Sequence, residues 1–525
     1  MPQPVVRWGC GNFQDGTIVI STCKPVLTIG VLLVFSSCAL LAQDSFWQKS
    51  IAEGNKLREQ GHYGEAEKAY LTAIADAGKF GSEDPRLATS ENNLATLYHA
   101  IGRYADAEGL YLKALTLHER LLGPDHPGVA NTLNNLAEIY RVQGYLSKAE
   151  PLYDRALAIW EKSLGPTDSK VALGLNNLAL LHRSRGEYSE AVLLYQKALA
   201  VQEERLGGQH ITVAQTLENL GEAFQAEGRY AETESVYQRS LTIREKTLPQ
   251  EHPDLARSFN RLATLYRLQG RPASAEPLYR RALEIFEKAL GANHPDTAHT
   301  RNNLADCLRL QEKYDSAEPL YRESLAILQK SLGPNHLEVA KAFSSLGDLY
   351  RDEGRFGRAE TSYRRALALA GKAQEQDPMV AAKINNNMGT LYLEHKKYGK
   401  AEPLFRQALA TWENNFGPLH PSVATALHNL GETYFRQHRY TQAEPLYQRA
   451  LVIWDRTLRT DHPNIAVTLR QYARLLQETN RTSESDAMMV RAREIRSQNP
   501  EARSARQTVD VNDLEAGAKT LKSRP

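Results

Sequence analysis

One residue position comes round every 42 residues along most of this chain. Glycine holds it at Gly102, Gly144, Gly186, Gly228, Gly270 and Gly354, while Glu312, Lys396, His438 and Asn480 stand in for glycine elsewhere, and Gly61 falls 41 before Gly102. A fixed period of this length marks a repeated supersecondary unit that cannot bury its apolar face alone and must stack on its neighbours. The register gives eleven repeats between about Ser45 and Arg496, with no linker and no shift of composition inside, so it reads as one array.

Within a repeat, Leu133, Leu136, Ala137 and Tyr140 fall at i, i+3, i+4 and i+7, a single apolar stripe on a helix. Pro127 suits the opening turn of that helix, with His126 or Asp125 as its cap, and Gly144 ends it. A second helix carries Ala149, Tyr153, Ala156 and Ile159 on one face and stops at Gly165-Pro166, and Pro151 is expected in its first turn. The alanine returns at Ala107, Ala191, Ala275, Ala317, Ala359, Ala401 and Ala443, and an aromatic from Tyr111 to Tyr447, with Phe405 once in the tyrosine's place. Small residues let the two helices approach; the rings pack the core rather than forming a platform for bases.

Together these residues spell NNLAxLYxxxGxYxxAExLYxRALxIxEKxLGPxHPxVA over about 450 of the 525 residues. The pattern resembles the tetratricopeptide repeat in the 42-residue form typical of kinesin light chains and their bacterial relatives. The resemblance implies an all-α, right-handed superhelical solenoid of about eleven helix-turn-helix repeats. It also implies a protein-binding scaffold rather than an enzyme, although the repeat alone does not choose a partner.

Paired asparagines interrupt the first helices at 92–93, 134–135, 176–177, 302–303 and 386–387, where each costs up to roughly 0.7 kcal/mol against alanine. On a helical wheel Asn135 lies nearly opposite Leu133. By the resemblance it matches an asparagine that holds a ligand's backbone in peptide-gripping members of the family. In the same register stand Asn93, Asn177, Asn219, Asn303, Asn387 and Asn429; Arg261, Ser345 and Gln471 interrupt the series. An amide donates and accepts, which suits an extended peptide. The alternative is a structural ladder, each amide bonding to the neighbouring repeat. Beside them run Arg141, Arg183, Arg267, Arg309 and Arg351, broken by Gln225. These guanidiniums would favour acidic groups on a ligand, as the resemblance to kinesin light chains also implies, or would pair with carboxylates such as Glu138 and Asp306 on a solvated face.

Seven histidines, from His126 to His462, share one loop position a full repeat apart, too far for two to ligate one metal ion, so they read as helix caps. No phosphate-binding loop, H-E-x-x-H, C-x-x-C or G-x-S-x-G occurs, and Cys307 reads as a buried apolar residue. No catalytic residue, metal site or cofactor is therefore expected. With a net charge of +2, nucleic acid is not expected as a partner.

Residues 1–42 read as a leader: the uncharged stretch between Lys24 and Asp44 fits an export signal cleaved after Ala42, with a start site downstream of Met1 as one reading of its length. A periplasmic or secreted protein is expected, or else one held at the membrane by an uncleaved or lipidated leader. Residues 43–496 form the solenoid. Residues 497–525 read as a polar tail, or as a short capping helix from Val511.

Overall fold

A computed structural model describes residues 44–227, 229–372, 378–457 and 462–498. The leader, Gly228 and all but the first two residues of the expected tail lie outside the described residues. Among those described there are 22 helices and no strand. The first helices of successive repeats are α1 (44–59), α3 (Pro85–Ala100), α5 (Pro127–Val142), α7 (Ser169–Arg185), α9 (Ile211–Ala226), α11 (Pro253–Leu268), α13 (Pro295–Leu310), α15 (Leu337–Asp352), α17 (Pro378–Glu394), α19 (Pro421–Arg436) and α21 (Pro463–Glu478). The second helices are α2 (Tyr63–Gly78), α4 (Tyr104–Leu122), α6 (Leu146–Leu164), α8 (Tyr188–Leu206), α10 (Tyr230–Thr247), α12 (Pro272–Ala289), α14 (Tyr314–Leu332), α16 (Phe356–Lys372), α18 (Tyr398–Phe416), α20 (Tyr440–Thr457) and α22 (Thr482–Gln498).

The helices fall into two compact units, the chain dividing after Pro124. No feature of the sequence marks that point, since Gly123-Pro124 returns as Gly165-Pro166. Within the second unit each first helix packs on its own second helix and, from α7 onward, on the second helix before it, giving a solenoid of helix pairs. First helices of adjacent repeats also touch, as α5 does α7 and α19 does α21, with no comparable pairing of second helices among the described residues. The first helices therefore line the inner side of this unit.

Starts and stops obey the period. The Nδ1 atoms of His126, His210, His252, His294, His336, His420 and His462 accept the backbone N–H two residues on at 3.0–3.3 Å, and Asp84 and Asp168 do the same with a carboxylate oxygen at 2.9 Å. Each satisfies one of the donors a helix start leaves without a partner. At the 42-residue marker the chain turns through a left-handed residue: Gly102 and Gly144 have φ of 78° and 83°, and Glu312, Lys396, His438 and Asn480 adopt 58–61° without being glycine. One expectation is corrected. Pro151 lies in the second turn of α6, because that helix begins at Leu146, so the proline leaves the Ser147 carbonyl without its helical donor; Pro277, Pro319, Pro403 and Pro445 likewise lie inside their helices.

The core is a column of alanines and rings. Ala149, Tyr153, Ala156 and Trp160 of α6 are buried, as are their counterparts in later repeats, and Tyr279, Tyr321, Tyr363, Phe405 and Tyr447 are fully covered. The ring seats against the first helix of its own repeat. At Gly347 a Cβ would come within 2.6 Å of the Tyr363 ring, and at Gly221 within 2.3 Å of Tyr237. Cys307 is buried, with its Sγ 3.0 Å from the Pro272 carbonyl oxygen.

Candidate binding face

The asparagine pairs divide their work. The first of each pair is turned toward the next repeat: Asn176 Nδ2 donates to Thr216 Oγ1 at 3.1 Å and Asn260 Nδ2 to Thr300 Oγ1 at 2.7 Å. Where other residues replace it the contact survives in altered form. His428 Nδ1 lies 2.8 Å from Thr468 Oγ1, and Glu218 accepts from Ser258 Oγ at 2.6 Å. Glu218 also meets Arg244 at 2.6 Å, both only 3% exposed; burial pushes its carboxyl up against the opposing pull of that guanidinium.

The second asparagine reaches back. Asn177 Nδ2 donates to Asn134 Oδ1 of the preceding repeat at 2.7 Å, and Asn429 Nδ2 to Asn386 Oδ1 at 3.2 Å. Asn387 Nδ2 donates to both oxygens of Asp348, at 3.1 and 3.3 Å, and Asn219 Oδ1 accepts from Gln215 at 3.4 Å. Asn93, Asn135, Asn177, Asn219 and Asn303 are half-buried, whereas Asn387 and Asn429 are 1% and 0% exposed. The asparagines thus knit repeats together, and those of α5, α7, α9 and α13 remain partly exposed.

The arginines of the row are matched by carboxylates on the same face. Arg141 makes two bonds to Glu138, at 2.8 and 2.6 Å; Arg183 pairs with Glu222 one repeat on; Arg309 pairs with Asp352; Arg351 lies 3.0 Å from Asp352 and 3.5 Å from Asp348. Arg267 is half-buried beside Tyr279. Burial works against the Arg309 charge, yet Asp352 and neighbouring carboxylates hold its pKa well above the usual value. Arg261, where the asparagine series breaks, pairs with Glu222, so Arg183, Glu222 and Arg261 form a chain of alternating charge.

Two further series were not singled out from the sequence. The buried tyrosine of the second helix donates its hydroxyl to the residue fifteen before it: Tyr153 to Glu138, Tyr321 to Asp306, Tyr363 to Asp348 and Tyr447 to Glu432. The tyrosine near the end of the first helix donates to a glutamate of the preceding repeat: Tyr266 to Glu234, Tyr350 to Glu318, Tyr392 to Glu360 and Tyr434 to Glu402. The signal for the second series was present in the glutamate of AExL, which recurs with the same period.

Sequence comparison decides the family. Tetratricopeptide-repeat matches cover residues 53–118, 86–146, 130–204, 212–288, 254–330, 296–372, 380–451 and 422–498. The chain belongs to the tetratricopeptide repeat family. Among solved structures, a Podosopora anserina protein with nearly identical TPR-like repeats of kinesin light chain type is 27% identical, over 39% of this chain and 98% of that one, with a TM-score of 0.36. BtubC from P. vanneervenii is 24% identical over 46% of this chain and 98% of its own, with a TM-score of 0.37. The family assignment rests on the repeat matches alone. No curated protein matches the chain. Among the described residues of this tetratricopeptide chain, no group of three or more His, Cys, Asp or Glu is placed to hold a metal ion, and no helix is long and apolar enough to cross a membrane.

Proposed function

We propose that this tetratricopeptide protein is a non-enzymatic scaffold that holds peptide segments of partner proteins on the inner face of its second unit. The observation that carries the reading is the exposure of Asn135, Asn177 and Asn219, which leaves part of each amide within a ligand's reach on three successive first helices. The neighbouring guanidiniums of Arg141 and Arg183 suit a peptide bearing carboxylates, which would compete with Glu138 and Glu222 for them.

The test is an array of short peptides that place acidic residues around an aromatic one, probed with the intact chain and with an Asn135→Ala, Asn177→Ala, Asn219→Ala variant. The expected result is binding by the wild type and at least tenfold weaker binding by a variant that melts within a few degrees of it. No binding by either protein, or equal binding by both, overturns the reading.

A second reading is favoured by the Asn177–Asn134 bond: a purely architectural spacer, in which the amides serve only the stack. It predicts a large drop in melting temperature for the same variant. We also infer export, supported by the uncharged stretch between Lys24 and Asp44; a mature N-terminus at Gln43, read by Edman degradation, would bear this out, and one before Lys24 would overturn it.

A further inference from the structure

The turn between α21 and α22 departs from the repeat in two places at once. Asn480 stands at the 42-residue marker, which glycine holds in most other repeats, and Thr482 opens α22 where Tyr230, Tyr314, Tyr398 and Tyr440 open other second helices. None of the other second helices opens on serine or threonine. Together the two departures write Asn480-Arg481-Thr482, the only Asn-x-Ser/Thr triplet in the 525 residues, and Glu478 stands two residues before it. Tolerance of a left-handed backbone would account for the asparagine alone. It does not account for the hydroxyl two residues on.

The fold puts the triplet where an enzyme can reach it. Asn480 has a φ of 61° and closes α21: its N–H donates to the Gln477 carbonyl at 3.1 Å, and the Arg481 N–H donates to that of Leu476 at 2.8 Å. These two bonds fix the main chain at the helix end and leave the Asn480 and Thr482 side chains exposed. Among the described residues the Asn480 amide makes no hydrogen bond, whereas Asn177, Asn387 and Asn429 use theirs inside the stack. Exposure alone does not single it out, since Asn293, Asn335 and Asn414 are exposed too. Pro295, Leu337 and Phe416 follow those three by two residues, and none of them offers a hydroxyl.

We propose that Asn480 is the acceptor for an N-linked glycan, with Thr482 as the hydroxyl that the transferase reads. The donor is an oligosaccharide carried on a polyprenyl pyrophosphate. Asn480 Nδ2 attacks the anomeric carbon, and the new C–N bond forms as the C–O bond to the pyrophosphate breaks. The lipid pyrophosphate leaves with that electron pair, and one amide proton passes to a base of the transferase. Nothing is oxidised or reduced. Glu478 supplies the carboxylate two residues before the acceptor that some transferases of this class also require. A glycan here adds a bulky, hydrated group at the last helix turn of the array, beside α22. Modification in the cell rests on the export proposed above, because such transferases work on the far side of a membrane from the ribosome; the acceptor geometry does not rest on it.

The test incubates the intact, folded chain with a purified oligosaccharyltransferase that requires an acid two residues before the acceptor, and with a polyprenyl-pyrophosphate oligosaccharide of known mass. The mass of the whole chain is then read. The expected result is a gain of one oligosaccharide, mapped to Asn480 by peptide mass, kept in Thr482→Ser and lost in Thr482→Ala and Asn480→Gly. Glycine holds the marker in other repeats, so Asn480→Gly keeps the turn and its loss of the glycan is not a loss of fold. A chain left at its original mass while a standard acceptor peptide is modified overturns the proposal. So does a glycan that appears only once the chain is unfolded, or one that persists in Asn480→Gly. The reaction needs no export, so its failure and the failure of the export reading at the mature N-terminus are separate results.

Discussion

The Tyr363 hydroxyl donates to Asp348 Oδ1 at 2.5 Å, both residues buried, and Asn387 of the following repeat donates to the same carboxylate. One acid thus joins the two helices of its repeat and the helix after them. Thr96 and Thr264 keep a hydroxyl contact with Tyr111 and Tyr279 in the same place, at 2.9 Å. Where an apolar residue stands there the bond is lost: Leu180 occupies it for Tyr195, whose buried hydroxyl has no hydrogen-bond partner among the described residues, and burial pushes its pKa up to about 12. Tyr363→Phe should therefore destabilise the protein by about 2 kcal/mol, while Tyr195→Phe should be neutral or stabilising by up to about 1 kcal/mol. Urea unfolding followed by circular dichroism compares the two, and equal losses would contradict the assignment.

Glycine in the first helices is a matter of clearance. At Gly347 an added Cβ would lie 2.6 Å from the Tyr363 ring, whereas at Gly431 the nearest ring atom of Tyr447 is 3.1 Å away. Gly347→Ala should cost about 2 kcal/mol despite alanine's better helix propensity, and Gly431→Ala should cost less than half as much. Thermal melts of the two variants settle the order.

The four non-glycine residues at the repeat marker hold a left-handed backbone that an L side chain resists by roughly 1–2 kcal/mol. Lys396→Gly, at φ 58°, should raise stability by about 0.5–1 kcal/mol once glycine's greater freedom in the unfolded chain is subtracted. Gly144→Ala should lower it by a similar amount. A melting temperature that falls with Lys396→Gly would contradict this account of the turn.

His420 caps α19 through Nδ1, stacks on Phe416 with ring centroids 4.1 Å apart, and is 7% exposed. Burial lowers its pKa from 6.5 to about 4. The folded state thus resists protonation more than the unfolded state does. Its contribution to stability is fully present above about pH 6.5 and lost as pH falls toward 4, by up to about 3 kcal/mol. His420→Asn keeps an acceptor at the cap and should flatten the stability profile between pH 7 and 4; an unchanged slope would assign the acid sensitivity elsewhere.

The helix pairs, the histidine caps and the buried tyrosines were legible from sequence because each depends on spacing inside one repeat, and the period multiplies every such signal. What lies between repeats was harder to see. A helical wheel separates Asn134 from Asn135 but does not show that Asn134 Oδ1 meets Asn177, since that contact depends on how far one repeat is offset from the next. Pro151 was placed a turn early because α6 begins as soon as Leu146, and its N-cap, Tyr145, offers no side-chain cap that would mark that start in the sequence. The candidate site was legible as a series of positions. Its grading was not, for nothing in the residues themselves marks Asn429 as covered and Asn219 as partly open.

Among the described residues, the bonds that join repeats in the second unit run between neighbours, as Asn177–Asn134, Asn429–Asn386 and Arg309–Asp352 do across 43 residues of sequence. Among the described residues, too, the helices of that unit pack with near neighbours in the chain rather than tying its beginning to its end. Pulled from its two ends, such a unit has no single clasp to break; it should yield one repeat at a time, each event paying out about 150 Å of chain. Mechanically the second unit is a row of similar latches, and a tension too weak to unfold it could still lengthen it in steps.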